Sequence, residues 1–346
     1  MDYNEWGTET YDRDDDRVGE DLQVRDRDDL DWNGLIGPDG RLDERRIVRR
    51  ETLYRGMNGS EVERLYLDSG ESCIWKPLTN DGQLGTEAWV YEHVLAALPP
   101  IYPRLLARSS PSAPGMSWTL FEDLGPLDHA FAEETALALM SQIARWHALP
   151  TDTLREAPLR GPKPAIRRMA ADIQSRAEPL PGIPGDLVRQ AAEMTRQPAW
   201  AEEVSNASVF SHGDLHLGNY AMTAEGIKVL DWEHAHLNHP YWDLYHVLDM
   251  SHPLFPKPVD AAIRGRALER YMAETARIGA LALAPSFKRG YSRFAAVFSL
   301  WMLQLIDSDL RAGGGPWPLD RLRQQRREAR TSFEQCAAAC ADMNEG

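Results

Sequence analysis

Strand-like alternation of apolar and polar residues occupies one short stretch of this 346-residue chain, and that restriction limits what it can fold into. In residues 49–78, RRETLYRGMNGSEVERLYLDSGESCIWKPL, two alternating runs flank a Gly-Asn-Ser turn, and a third, ending in Lys76, follows a turn at DSGES. Period-two runs joined by such turns predict three antiparallel strands. The spacing then becomes helical. In residues 83–98, QLGTEAWVYEHVLAAL, the side chains of Val90, Tyr91, Val94, Leu95 and Leu98 share one side, and Pro99-Pro100 stops the run. WTLFEDLGP turns abruptly from apolar to acidic, and after Pro126 helical spacing prevails. DHAFAEETALALMSQIARWHAL ends at Pro150, residues 160–185 are punctuated by Pro and Gly, helical runs lie around 186–204, and three more span roughly 259–278, 286–311 and 319–343. Strands first and helices after give an α+β class, a small β-rich lobe followed by a larger helical one, with the composition break near Gly125. Clefts form at such junctions.

The chain is long enough to bury a core that supports a cleft. Its net charge of -15 argues against a nucleic-acid partner or an anionic membrane, since no basic field attracts phosphates; a cationic ligand fits better. Much of the excess is local: residues 1–30 hold twelve Asp or Glu against four Arg. Residues 1–45 therefore read as an acidic arm unable to bury enough surface to order itself, with Trp6, Tyr11 and Trp32 available for docking on the body or on a protein partner. Cys73, Cys336 and Cys340 have neither Cys-x-x-Cys spacing nor a matching His pair, so no zinc site or disulfide framework is indicated. The start lacks the pattern of a signal peptide, and no run approaches the roughly 18 apolar residues of a membrane span. The expectation is a cytoplasmic protein.

The chemistry concentrates in residues 211–222, SHGDLHLGNYAM, and in the following GIKVLDWEHA. Val209-Phe210 and Ile227–Leu230 read as short apolar strands with TAEG as the turn between them, a hairpin that would gather Asp214, Asn219 and Asp231. An Asn carbonyl and a carboxylate are donors that Mg²⁺ accepts alongside water and phosphates. Asp214, between them, would accept a proton from a hydroxyl. The same residues are also favoured in turns and caps, and His212, Asp214, His216 and Asp231 alternatively read as the transition-metal site of a hydrolase.

H-x-D-x-x-x-x-N followed by an Asp at a strand end resembles the catalytic loop and metal-binding Asp of the kinase fold. The wording here, His212-Gly213-Asp214 to Asn219 and then Asp231-Trp232-Glu233, is similar to that of the aminoglycoside phosphotransferase and choline kinase group of small-molecule kinases, over roughly residues 48–250. The resemblance implies a two-lobed protein-kinase-like fold: an N-lobe over 46–124 with FEDLG as hinge at about 121–125, and a helical C-lobe over 125–346. It implies transfer of the γ-phosphate of ATP, or of GTP, with Mg²⁺, to a hydroxyl of a small molecule such as an aminoglycoside, aminocyclitol, amino alcohol or sugar. A Ser or Thr of a peptide is the alternative acceptor.

Site roles follow from the same resemblance. Gly56, Asn58, Gly59 and Ser60 would form the turn over the nucleotide phosphates; Lys76 would hold the α- and β-phosphates, with Glu87, rather than its competitor Glu92, fixing the ammonium. Backbone near Glu122, Asp123 and Leu124 would meet the adenine. Asn219 and Asp231 would hold Mg²⁺, Glu233 beside them would touch a second ion or lie at the surface, and Asp214 would orient and deprotonate the acceptor. His212 supports the loop, and Asp243 in HPYWDLY is its buried anchor. His147 is structural, and His216 reads as a packing or hydrogen-bonding residue. Gly213 replaces the Arg of H-R-D, and only eleven residues separate Asp231 from Asp243, leaving no room for an activation segment. Phe287, Tyr291, Phe294, Phe298 and Trp301 form a core stripe, and Asp307 or Asp309 beyond it would receive a cationic acceptor.

Overall fold

The computed structural model describes residues 34–37, 40–56, 58–109, 114–155, 157–160, 164–176, 180–205, 209–315 and 317–342. The acidic arm expected over residues 1–45 lies outside them as far as residue 33, as does Met57 of the turn. The chain divides into two compact units, the first comprising the described residues up to Leu84 together with Arg104–Asp123, the second comprising Gly85–Pro103 and the described residues from Leu124 onward.

The first unit is built on a five-stranded antiparallel sheet. The expected meander is present as β1 (Ile47–Arg55), β2 (Glu61–Leu67) and β3 (Ser72–Pro77), and β4 (Leu105–Arg108) and β5 (Trp118–Glu122) extend it in the order β1-β2-β3-β5-β4. Alternation puts Leu65, Leu67, Cys73, Trp118 and Leu120 on one buried face, and Trp75 stacks on Trp118 at 4.7 Å. Leu35 joins this core, Ile36 bridges Leu42, and the Trp118 indole donates to the Gly40 carbonyl at 3.1 Å. Leu35, Ile36 and Leu42 thus belong to the sheet's core. Apolar residues so few cover a sheet face rather than form an element of their own, which is why they read as a tail.

The second unit begins with α1 (Thr86–His93), entered through Gly85 at φ 75°. This helix is shorter than the expected 83–98: Leu95–Ala97 tighten into a 3-10 turn ahead of the paired prolines. The sequence reading grouped α1 with the sheet, whereas in the structure its segment packs with the second unit. The Val229 amide donates to Ile101 O at 2.6 Å, the Lys228 ammonium donates to Pro100 O at 3.1 Å, and α1 packs on the turn at Trp232–His234.

Next come α2 (Glu133–His147), α3 (Ile166–Ser175), α4 (Gly185–Met194) and α5 (Pro198–Ser205). α3 was not anticipated in its Pro- and Gly-punctuated stretch, although Ile166, Met169, Ala170 and Ile173 are buried at helical spacing. α6 (Tyr241–Leu248) was also missed, because all of its residues, Asp243 and His246 included, are buried, and a helix buried on every side has no solvent face to set a period. The last three helices fall close to expectation as α7 (Ala261–Ile278), α8 (Phe287–Arg311) and α9 (Leu319–Asp342). α7 starts where the Asp260 carboxylate accepts the Ile263 amide at 2.8 Å, and it ends at Gly279, φ 75°. The aromatic stripe of α8 is core: Phe287, Tyr291, Phe294, Phe298 and Trp301 are all buried.

A buried ion pair joins the helices. Asp249, at the end of α6, accepts from the Arg264 guanidinium of α7 at 2.6 Å, from the Tyr291 hydroxyl of α8 at 2.5 Å and from Ser332 of α9. The three cysteines are buried and free, and no described helix is long and apolar enough to cross a membrane.

Candidate active site

Two small sheets of the second unit carry the site. β6 (Val209–Ser211) pairs with β9 (His236–Asn238), and β7 (Tyr220–Thr223) pairs with β8 (Gly226–Val229). The expected pairing of Val209-Phe210 with Ile227–Leu230 is therefore corrected. The turn at Thr223–Gly226 was placed properly, but it is too tight to reach back past Tyr220, so β8 takes its immediate neighbour in sequence as partner. The two sheets still bring the polar loops together, because the Leu230 amide donates to Asn219 O at 2.8 Å.

Beneath the loop lies Asp243, fully buried. Its carboxylate accepts from Trp146 Nε1 at 3.0 Å, His147 Nε2 at 3.1 Å, Ser211 Oγ at 2.6 Å, the His212 amide at 2.9 Å and the Gly213 amide at 3.1 Å. Burial opposes ionisation, but the bonds from His147 and Ser211 and the neighbouring imidazoles outweigh it and hold the group well below the carboxylate range. His147, with Tyr271 OH at 2.9 Å on its other nitrogen, is structural as expected from the sequence.

His212 is buried and engaged at both ring nitrogens: Nδ1 accepts the Asp214 amide at 3.3 Å, and Nε2 donates to Leu230 O at 2.8 Å. Neither nitrogen is open to a metal, which removes a ligand from the hydrolase alternative. At Gly213, φ 88°, a Cβ would lie 2.0 Å from His234 O and 2.8 Å from His236 Nδ1, so β6 and its neighbouring turn approach too closely for any side chain, an arginine included.

Asp214 follows with a third of its side chain exposed. Asn219 Nδ2 donates to Asp214 O at 2.7 Å and lies 3.4 Å from Asp214 Oδ2, tying the two ends of the loop together. Asp214 is held down to about 2: burial opposes ionisation, and His216, His234, His246 and His212 favour it. Of these, His234 is pushed up to about 9, burial being outweighed by Glu233 and the nearby aspartates, and so it is the imidazole protonated at neutral pH.

Asp231 is the one non-glycine residue at positive φ (61°) among the described residues, a conformation that costs on the order of 1–2 kcal/mol for an L side chain and that Asp tolerates better than most. This backbone turn aims its carboxylate at Glu87 of α1 and at Glu233; ligand oxygens of the three lie within 4.8 Å of one another. At an effective dielectric of about 20, two ionised carboxylates at that separation repel by roughly 3 kcal/mol, so the cluster favours a bound cation. An all-oxygen donor set suits a hard divalent ion.

The structure thus brings Asp214, Asn219, Asp231, His212 and Asp243 together, and adds Glu233 and Glu87 to Asp231. Glu87 is buried, and Glu92 is the more exposed of the two. In the first unit, Lys76 sits on β3 in register with Thr119. The Gly56 amide closes on Ser60 O at 2.8 Å, Gly59 has φ 84°, Asn58 Nδ2 donates to Leu78 O at 2.8 Å, and Gly56 lies so close to Thr79 that a Cβ would fall 2.4 Å from it. Glu122 accepts from Arg104 N and Nε, both at 2.8 Å, Asp123 pairs with Arg64 at 2.8 Å, and at Leu124 the chain re-enters the second unit. Asp307 is occupied by Arg326 at 2.5 Å and buried, which corrects the expectation that it receives a cation. His129 was missed by sequence reasoning: its Nδ1 lies 3.2 Å from Leu217 O and 3.1 Å from Tyr220 O, bracing the loop from a connection without local pattern.

Residues 76–280, more than half of the chain, match the family described as "Phosphotransferase enzyme family". Solved structures share the fold. An aminoglycoside phosphotransferase from Alicyclobacillus acidocaldarius aligns with TM-score 0.55 and 13% identity, covering 87% of this chain and 93% of that one. A choline kinase from Cryptosporidium parvum gives 0.52 and 13%, covering 90% and 94%, and a macrolide 2'-phosphotransferase from Brachybacterium faecium gives 0.50 and 18%, covering 82% and 91%. No curated protein matches the sequence significantly.

Proposed function

This chain belongs to the phosphotransferase enzyme family and is a small-molecule kinase, and from that premise we propose that it transfers the γ-phosphate of ATP, with Mg²⁺, to a hydroxyl of an aminoglycoside, aminocyclitol, amino alcohol or sugar. The observation that carries this reading is the convergence of Asp231, Glu87 and Glu233 beside a loop in which Asn219 is bonded to Asp214. Asn219 and Asp231 would hold the metal, and Glu233 and Glu87 lie close enough to Asp231 to contribute oxygens to it. When bound, the cation neutralises charge on the transferring phosphates.

The chain's own residues do the rest. Asp214, ionised well below neutral pH and partly exposed, accepts the proton of the acceptor hydroxyl and orients its oxygen for in-line attack. Asn219 keeps the loop from opening, and Asp243 holds the amides of His212 and Gly213 from below. For Lys76, and for Gly56, Asn58, Gly59 and Ser60, the resemblance to the kinase pattern implies contact with the nucleotide phosphates. The acidity of the chain, net -15, supports an acceptor carrying amines.

The test is a screen for ADP release from ATP and Mg²⁺ over aminoglycosides, choline-like alcohols, sugars and hydroxyl-bearing peptides, with Asp214→Ala as the blank. Turnover of an amino alcohol or aminoglycoside, lost by about a thousandfold or more in the variant, is expected. Turnover of the peptides alone would replace the small-molecule acceptor by a protein one. Equal turnover in the variant would remove Asp214 from its role.

A further inference from the structure

His216 is the residue of the loop that neither the kinase pattern nor the metal cluster employs, and its surroundings are specific. Its Nδ1 accepts the Gly218 amide at 3.0 Å, so in the neutral ring the proton sits on Nε2. That nitrogen lies 3.7 Å from Asp214 Oδ2. The ring cannot swing away: His252 stacks on it at 4.6 Å and 12°, and Phe255 lies 5.6 Å off at 23°. Phe255 in turn fills the space where Gly218 has no Cβ, which would fall 2.3 Å from the phenyl ring. His252 is pinned from its far side by Trp317 at 5.6 Å and Phe255 by His129 at 5.5 Å.

We propose that His216 is a positioning residue, whose Nε2, 3.7 Å from Asp214 Oδ2 and so acting on it electrostatically rather than through a direct hydrogen bond, biases the rotation of that carboxylate so that Oδ1 is presented to the acceptor hydroxyl. The inference rests on the reading of Asp214 as the base. A second side-chain contact on this carboxylate, from Asn219 Nδ2 at 3.4 Å, also falls on Oδ2, so both neighbours lie beside the same oxygen. A carboxylate free to rotate about its last bond would present either oxygen at a range of angles, and general-base catalysis depends on a hydrogen bond of defined direction. The helical cap made by His216 Nδ1 and the donor made by Nε2 are separate functions of one ring, and they can be separated by substitution.

His216→Asn keeps an oxygen near Nδ1 that accepts the Gly218 amide but has nothing to reach Asp214. His216→Gln places its amide nitrogen near Nε2 and restores a donor. ADP release from ATP and Mg²⁺ with water as the acceptor gives a turnover for each, with Asp214→Ala as reference. The expected result is a kcat lower by about 10- to 100-fold in His216→Asn, KM for ATP within about twofold and the thermal midpoint close to that of the wild type, with at least about fivefold of the loss recovered in His216→Gln. The double variant Asp214→Ala/His216→Asn should turn over no more slowly than Asp214→Ala, because His216 acts through Asp214. Imidazole ¹⁵N spectra of the unmodified protein should show His216 protonated on Nε2. Wild-type kcat in His216→Asn while Asp214→Ala is dead would overturn the inference and leave the base reading intact, as would an Nδ1–H tautomer or losses in the double variant that simply multiply. Wild-type and Asp214→Ala turning over alike would overturn both.

Discussion

Replacing Asp243 by alanine would leave five donors facing a void: two ring N–H groups, a hydroxyl and two backbone amides, all closed around a carboxylate with no exposed surface. Bonds to a charged acceptor contribute about 1.5–3 kcal/mol each, and an orphaned buried donor costs about 1–3 kcal/mol. The terms do not add, since water can enter the space and relieve some donors, so the expected loss for Asp243→Ala is about 4–6 kcal/mol, at the far end of single substitutions. Asp243→Asn keeps the volume but turns an amide nitrogen toward groups that also donate, at a cost of about 3 kcal/mol. Urea unfolding followed by tryptophan fluorescence gives both values, since Trp146 is itself one of the donors. The pH dependence is a second check. The folded pKa of Asp243 is depressed below its ordinary 3.8, so its contribution is complete above that value and is lost as the pH falls below it. Asp243→Asn has no such titration, and the gap between it and the wild type should narrow as the pH is lowered from about 5 to about 2. A loss under about 1 kcal/mol in Asp243→Ala, or a gap constant with pH, would refute the anchoring argument.

Gly213→Ala combines a left-handed backbone with a contact of 2.0 Å against His234 O, and a destabilisation of about 3 kcal/mol or more with loss of turnover is expected; an unchanged thermal midpoint would contradict the close approach. Asp231→Asn removes one charge from the three-carboxylate cluster and should raise the Mg²⁺ concentration for half-maximal ADP release by about tenfold or more, read by metal titration. Glu233→Gln should shift it in the same direction, and identical titrations in both variants and the wild type would locate the metal elsewhere. Arg264→Met leaves the buried Asp249 carboxylate without its counter-charge and should cost about 3–5 kcal/mol in a denaturant melt, more than the double variant Arg264→Met/Asp249→Asn costs.

The sequence was most legible where local rules act alone. The meander of β1–β3 announced itself because alternation and turn residues coincide, and α7, α8 and α9 because each is amphipathic over several turns. The spacing from His212 to Asn219 was legible for a different reason: the roles proposed for this loop, a base and a metal donor, leave little freedom in residue type or count. Harder to see were α6, buried all round, the short strands β7 and β9, whose three or four residues carry no period, and the partner of β6, which is chosen by packing.

Residue types and their order therefore determined that this chain is an α+β phosphotransferase and singled out Asp214, Asn219 and Asp231 as candidates for its site. Only the tertiary structure decided how they are held: that Asp243 gathers donors from α2, β6 and the loop, that Glu87 stands with Asp231 and Glu233, that Asp307 is taken by Arg326, and that His216 is clamped against Asp214 by rings from residues 252 and 255. The physical reason is range. Propensity and periodicity act between neighbours in sequence, whereas hydrogen-bond satisfaction, charge repulsion and close packing act between neighbours in space, and those pairs exist only after the chain has folded.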